Sequence, residues 1–308
     1  MRGSVLFCLL LAAATNSRGQ AIDTLTFFGE VTVTIDRPLF VVDGPTEIIL
    51  YALPNGNTTA QTMGKRKAPG DDWHVDIQHI RAQTAFIREA RPRHNIIVCY
   101  LENSYKSWPL WKQKHLSYRV QIRHIVDTLY DMMPGPRKTL CLSGHSGGGA
   151  FVLGYLAAVD RIPAHVTRIS FLDSNYGYDS SYAPKLVAWL LGVRKAHLVV
   201  FAYNDSVALY NGKPLVSATG GTWYRSRLMR NDIGAAIPLA QSRVDSLDVF
   251  RSSDGRVSFY LRDNPGRGIY HTEQVERNGF IHAHLAGTRR EEQYYRYDGP
   301  RAYERFIQ

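Results

Sequence analysis

Cysteine is scarce in this chain: 3 in 308 residues, at positions 8, 99 and 141. So few cannot staple a chain of this length, and its order has to come from a hydrophobic core. Other absences narrow the function. No Gly-Lys-Ser or Gly-Lys-Thr follows the glycine-rich stretch at 144–149, so that stretch lacks the cation of a phosphate-binding loop. His74 and His79 have no partner at i+4, the spacing by which a helix presents two metal ligands. No nucleic-acid-binding signature is present, and no internal repeat or low-complexity tract interrupts the chain. The apolar run at 5–14 is too short to cross a bilayer, which leaves no stable membrane span in this reading.

What is present begins with a leader. Arg2 supplies a positive start, 5–14 an apolar core, and Gly19-Gln20-Ala21 a small-x-small cleavage site before Ile22. Residues 1–21 therefore read as a secretory signal peptide, and 22–308 as a mature chain long enough for one large core without a second domain. Losing Arg2 and Arg18 lowers the formal charge from +10 to +8. A basic secreted protein associates weakly with anionic surfaces; here the basic residues are scattered among acids and serve solubility first.

The chain is organised around Leu140-Cys141-Leu142-Ser143-Gly144-His145-Ser146-Gly147-Gly148-Gly149-Ala150: an apolar run of strand length, a glycine-rich turn, then an apolar run of helical length. Gly144-His145-Ser146-Gly147-Gly148 fits G-x-S-x-G, in which a serine sits on a tight strand-to-helix turn with its Oγ exposed, and the glycines stand where a Cβ would collide. On these residues the sequence resembles the α/β-hydrolase family. The resemblance implies an α/β fold, with a mostly parallel central sheet and helices on both faces. The rest of the chain alternates in keeping with it. Segments 24–35, 39–42, 46–53, 95–101, 139–142, 166–172, 197–203 and 256–262 read as strands, and 73–90, 116–133, 149–159, 183–191 and 272–286 as helices. Residues 206–255 are irregular and are expected to form an insertion over the active site. The tyrosine-rich tail from Arg289 has no assigned role. In the family's strand order Cys99 and Cys141 lie on strands that are not neighbours, so buried free thiols are expected.

A serine hydroxyl becomes a nucleophile only with a base in reach and a third group to orient that base. The family's order is Ser, acid, His, with the acid after the seventh strand and the histidine after the eighth. Asp205, 59 residues after Ser146, follows the seventh strand and is preferred; Asp173, 27 residues after Ser146 at the end of the sixth, is the alternative. His271, nine residues after the last strand, is preferred as base over His282, which falls inside the final helix. The oxyanion hole is expected from the Gly147 N–H and one from the loop after the third strand. There the usual His-Gly is replaced by Pro54-Asn55-Gly56-Asn57, which makes Asn55 and Gly56 the candidates. His145, beside the serine, and Trp108 and Trp111, in the loop after the fourth strand, are candidate substrate contacts, although the tryptophans equally fit a helix cap. Two sequons, Asn57-Thr58-Thr59 and Asn204-Asp205-Ser206, fall in these same loops, where a glycan would obstruct the site; they are expected to be unused.

The expectation is a secreted serine hydrolase that cleaves a carboxylic ester, of a small molecule or a polymer, through an acyl-enzyme. No metal or organic cofactor is implied. The alternatives are the same triad acting on an amide or peptide and, from another class, a non-catalytic binding or cell-wall-associated module on a hydrolase scaffold.

Overall fold

The computed structural model describes residues 20–308, so the expected leader lies outside the described residues except where Gln20 and Ala21 enter the first strand. A ten-stranded sheet runs through the molecule. Its strands are β1 (Gln20–Phe27), β2 (Val31–Pro38), β3 (Thr46–Ala52), β4 (Asn95–Asn103), β5 (Thr139–His145), β6 (Val166–Leu172) and β7 (His197–Tyr203), with β10 (Leu239–Val244), β11 (Leu247–Ser252) and β12 (Val257–Arg262) beyond them. Between the two groups β8 (Leu209–Tyr210) and β9 (Lys213–Pro214) form a small separate hairpin. The sheet order is β1-β2-β4-β3-β5-β6-β7-β12-β11-β10. Strands from β4 to β12 pair in parallel, while β1 and β2 at one edge and β11 and β10 at the other pair antiparallel.

Parallel central strands are covered on both faces, which is why they read as continuous apolar runs. β3 is buried at every position. One face carries α3 (Trp108–Lys114), α4 (Tyr118–Met132), α5 (Gly149–Ala158), α6 (Ala183–Gly192) and α7 (Thr222–Gly234), whose apolar residues share a core with Ile48, Leu50, Leu142 and Val200. The other carries α2 (Ile80–Ala90), α8 (Glu273–Glu276) and α9 (Gly279–Leu285) over Ile49, Val98, Val199 and Phe201. A short α1 (Thr59–Met63) follows β3 under a capping box from Thr58 and Gln61. Cys99 on β4 and Cys141 on β5 are buried and free, with β3 between them.

Five expected elements differ. Two expected helices are broken: 73–90 is a 3-10 turn (Trp73–Asp76) followed by α2, with His79 at positive φ before it, and 272–286 is α8 and then α9, with Asn278 at positive φ between them. The segment 24–35 is two strands, because Phe28 and Gly29 adopt positive φ and turn the chain back on itself. Residues 39–42 are not a strand: β2 ends at Pro38, and Leu39, Phe40 and Val41 are exposed. The segment 206–255 contributes α7 as a crossover helix and adds β10 and β11 to the sheet edge, so most of it is regular structure beside the sheet.

Candidate active site

Ser146 follows β5 at a φ of +54°, a left-handed conformation that a serine adopts only when its surroundings impose it. The turn is tight enough to require glycine nearby. A Cβ on Gly148 would lie 2.1 Å from the Ala52 carbonyl oxygen, and one on Gly144 would lie 2.8 Å from the Gly148 carbonyl carbon. Beyond the serine, Gly147 and Gly148 form a 3-10 turn that runs into α5. The N–H groups at such a start have no intrahelical acceptor.

Asp173 follows β6 directly and is also a non-glycine residue at positive φ, +48°. It has no solvent exposure, and its Oδ2 takes a short hydrogen bond from Nδ1 of His271, whose side chain is 21% exposed. The bond fixes the tautomer: an ionised carboxylate only accepts, so Nδ1 carries the hydrogen and Nε2 is left to act as a base. His145, immediately before the serine, packs its ring 4.5 Å from the His271 ring, and its Nε2 lies 3.2 Å from the His271 carbonyl oxygen. These contacts hold the imidazole beside the serine turn. Among the described residues no hydrogen bond joins Ser146 Oγ to His271; such nucleophile–base contacts commonly tighten only when substrate is bound.

The carboxylate against His271 is thus Asp173, and the preferred expectation of Asp205 is corrected. Asp205 is buried after β7, but it faces α7. Its Oδ2 accepts from the Thr222 N–H at 2.7 Å, and its Oδ1 accepts from the Trp223 N–H at 3.3 Å. The Thr222 hydroxyl lies between the two acids, in a short hydrogen bond to Asp173 Oδ1 and 3.2 Å from Asp205 Oδ2. Burial, and then the neighbouring Asp173 charge, push the Asp205 carboxyl up to about 6. His282 is far from this chemistry: it is buried in α9, bonds Tyr295 through Nδ1, and is pushed down to about 3 by burial.

Other expected contacts move as well. Trp108 and Trp111 are fully buried; their indole N–H groups go to the Leu101 carbonyl and the Glu30 carboxylate, and Trp108 stacks edge-on against Phe151 of α5 at 4.7 Å. They are core residues, so no substrate wall is built from them. His145 is only 2% exposed, and burial holds it well below the usual imidazole range; it packs under His271, away from solvent. Gly56 donates its N–H to the Lys106 carbonyl at 2.8 Å and has none to offer an oxyanion. Asn55 lies over Gly147: a Cβ there would be 1.9 Å from Asn55 Oδ1 and 2.9 Å from Nδ2. Asn57 is only 6% exposed, which closes that sequon to a glycan on the folded chain.

Two residues escaped the sequence reading. Tyr176, three residues after Asp173, sets its ring edge-on to His271 at 6.3 Å, and burial raises its hydroxyl well above the usual phenol range. Thr222 opens an ordinary helix and carries no motif. Only its distance from two strand-end aspartates reveals it.

Among the described residues, one cluster brings metal-ligand types together: Glu47, Cys141 and His284, buried, with ligand atoms within 4.8 Å of one another. It lies toward the amino ends of β3 and β5, at the opposite end from Ser146. Arg91 already sits 2.6 Å from the Glu47 carboxylate, and the buried Arg168 guanidinium adds a second positive charge. That field suits an internal ion-pair cluster better than a further cation.

No protein-family model matches the chain, and no curated protein matches it. Solved structures do. A protein designated FAE aligns with 91% of this chain and 92% of its own at 12% identity and a TM-score of 0.53. A mutant of the feruloyl esterase module from Clostridium thermocellum complexed with sinapinate aligns over 86% and 88% at 11% identity and a TM-score of 0.50. An acetyl xylan esterase from Aspergillus awamori aligns over 79% and 92% at 11% identity and a TM-score of 0.44. Among the described residues no helix is long and apolar enough to cross a membrane. With this sheet order, and a serine on the turn between its fifth strand and the helix that follows, the chain has the α/β-hydrolase fold.

Proposed function

We propose that the chain is a serine hydrolase that cleaves a carboxylic ester through an acyl-enzyme, with Ser146 as nucleophile, His271 as general base and then acid, and Asp173 as the orienting acid. The observation that carries this reading is the Asp173–His271 pair packed against a serine turn at positive φ. Strained backbone and a buried carboxylate on a half-buried imidazole are costs that a purely structural loop has no reason to hold.

In the proposed cycle the Ser146 Oγ attacks the ester carbonyl carbon and gives its proton to His271 Nε2. Asp173 stabilises the imidazolium. The developing oxyanion is met by the Gly147 N–H at the start of the turn and by Asn55, which overlies Gly147. As the tetrahedral centre collapses, the ester C–O bond breaks and the leaving alkoxide takes the proton from His271. Water then repeats the sequence to release the acid. An ester substrate agrees with the feruloyl esterase among the similar folds. A leader removed before Ile22 would make the protein secreted, its basic mature surface associating weakly with anionic polymers.

The test is labelling of the purified protein with a fluorophosphonate, with turnover of p-nitrophenyl esters of increasing chain length. Labelling that Ser146→Ala abolishes and His271→Ala reduces sharply is expected. A folded protein that takes no label is not a serine hydrolase, and the non-catalytic module becomes the better reading. Amide turnover rivalling that of esters would move the substrate class to the amidase alternative.

A further inference from the structure

The shared Thr222 hydroxyl joins two carboxylates that stand at the ends of adjacent parallel strands, β6 and β7. Beyond that hydroxyl the two acids have different partners. Asp173 gives Oδ2 to His271 and Oδ1 to Thr222. Asp205 takes the Thr222 and Trp223 N–H groups, the first two of α7. Gly221, before them, approaches so closely that a Cβ on it would sit 2.2 Å from Asp205 Oδ1. The close fit locks the first residue of α7 against Asp205, and with it the direction of the Thr222 hydroxyl.

A hydroxyl has one hydrogen to give. Asp173 has no solvent exposure, so its Oδ1 has no water to turn to, and the Thr222 O–H is the donor that satisfies it. With Oδ1 held, the carboxylate cannot rotate about its Cα–Cβ–Cγ axis, and Oδ2 stays aimed at His271 Nδ1. We propose that Thr222, anchored by Asp205 through the start of α7, is a positioning residue that fixes the rotamer of the Asp173 carboxylate and thereby the aim of His271. Asp205 has the position the family's acid was expected to occupy, and in this chain it supports the acid at the neighbouring strand end. The inference rests on the proposed triad.

The residue that separates this role from a structural one is Thr222. Thr222→Val keeps the β-branched shape, the backbone N–H to Asp205 and the helix start, and removes only the hydroxyl. For the ester that the wild type turns over, kcat is expected to fall about 10- to 100-fold, the cost of leaving one buried acceptor unmet in the reacting geometry. KM is expected to stay within about twofold and Tm within a few degrees. Thr222→Ser, which restores the hydroxyl, should recover most of the lost kcat. Should Thr222→Val fail to fold, Thr222→Ala and Asp205→Ala, read by the same three quantities, carry the test: a kcat loss larger than the stability loss accounts for supports positioning. A kcat for Thr222→Val within twofold of wild type, or a loss that Thr222→Ser does not recover, overturns the inference. Fluorophosphonate labelling keeps the two levels apart. A wild type without label removes the triad itself, whereas a labelled wild type with Thr222→Val labelled equally fast removes only the role of Thr222.

Discussion

Ser146 and Asp173 are both held at positive φ, +54° and +48°, each directly after a parallel strand. For an L-residue with a polar side chain each such conformation costs about 1–3 kcal/mol, and the surrounding packing has to impose it. The return is direction: Asp173 meets His271, and Ser146 stands on the turn beside His145, against which the His271 ring packs. Asp173→Asn preserves that shape but lets the side-chain amide donate to Nδ1, which favours the wrong imidazole tautomer. kcat is expected to fall by about 10³–10⁴ in steady-state ester hydrolysis, whereas Asp205→Asn should cost no more than about tenfold, because its contacts run through Thr222. Equal losses would put Asp205 back in the triad. Asp205 also makes a prediction about stability. Its carboxyl is raised to about 6 in the folded state by burial and by Asp173, with Tyr176 and Tyr203 also facing it. A raised acid contributes stability below its unfolded value and loses that contribution as pH climbs through the folded value. Between pH 4.5 and 7.5 the wild type should therefore lose about 2 kcal/mol relative to Asp205→Asn in urea denaturation. A gap that stays constant with pH would mean that Asp205 does not titrate in this window.

At the scale of elements, α3 shows how a reading of local composition goes astray. Two tryptophans in a loop at the carboxyl edge of the sheet look like a substrate wall, yet Ser107 caps the helix, Pro109 sits in its first turn, and both indoles turn inward. Trp108 meets Phe151 of α5, the helix that begins at the serine turn. Trp108→Ala should cost about 3–5 kcal/mol in urea denaturation and leave the KM for esters unchanged; a raised KM with stability intact would restore the substrate role. The strands and helices that position the site were legible because run length and period are local properties, and they placed Ser146 and His271 at the ends of the right elements. The segment 39–42 misled because its apolar residues have strand propensity, while Pro38 and the pairing of β2 end the strand before it. The choice between the acids was not legible at all. Both aspartates end strands, and what separates them is Thr222, 17 residues after Asp205 and 49 after Asp173, whose N–H claims one carboxylate and leaves the other to His271.

For the whole molecule, the sheet divides two apolar layers, and the layers are closed differently. One is covered by five helices. The other has α2, α8 and α9, and the tail from Arg289, to which the sequence assigned nothing, completes it. Tyr295, Tyr297 and Tyr303 are buried, and their hydroxyls reach His282, Gln274 and the Glu276 carbonyl. Arg301 binds Asp76 at 2.8 Å and Glu276 at 2.7 Å, so one side chain ties the segment before α2 to the helix that follows His271. Few local signals announce such a tail, because it has almost no regular structure and its burial comes from distant partners. The tail acts as the closing layer of the fold, and Tyr303 is its deepest point. Tyr303→Phe removes one hydrogen bond, worth about 1 kcal/mol, and should lower Tm by roughly 2–4 °C. Tyr303→Ala empties the site at about 3–5 kcal/mol, which corresponds to a fall of roughly 6–20 °C. Both are read by calorimetry on the full chain. At temperatures below either transition ester turnover should match wild type, since among the described residues no hydrogen bond or ring contact joins Tyr303 to Ser146, Asp173 or His271. A Tyr303→Ala protein that melts with the wild type would mean the tail merely lies on a layer already closed without it.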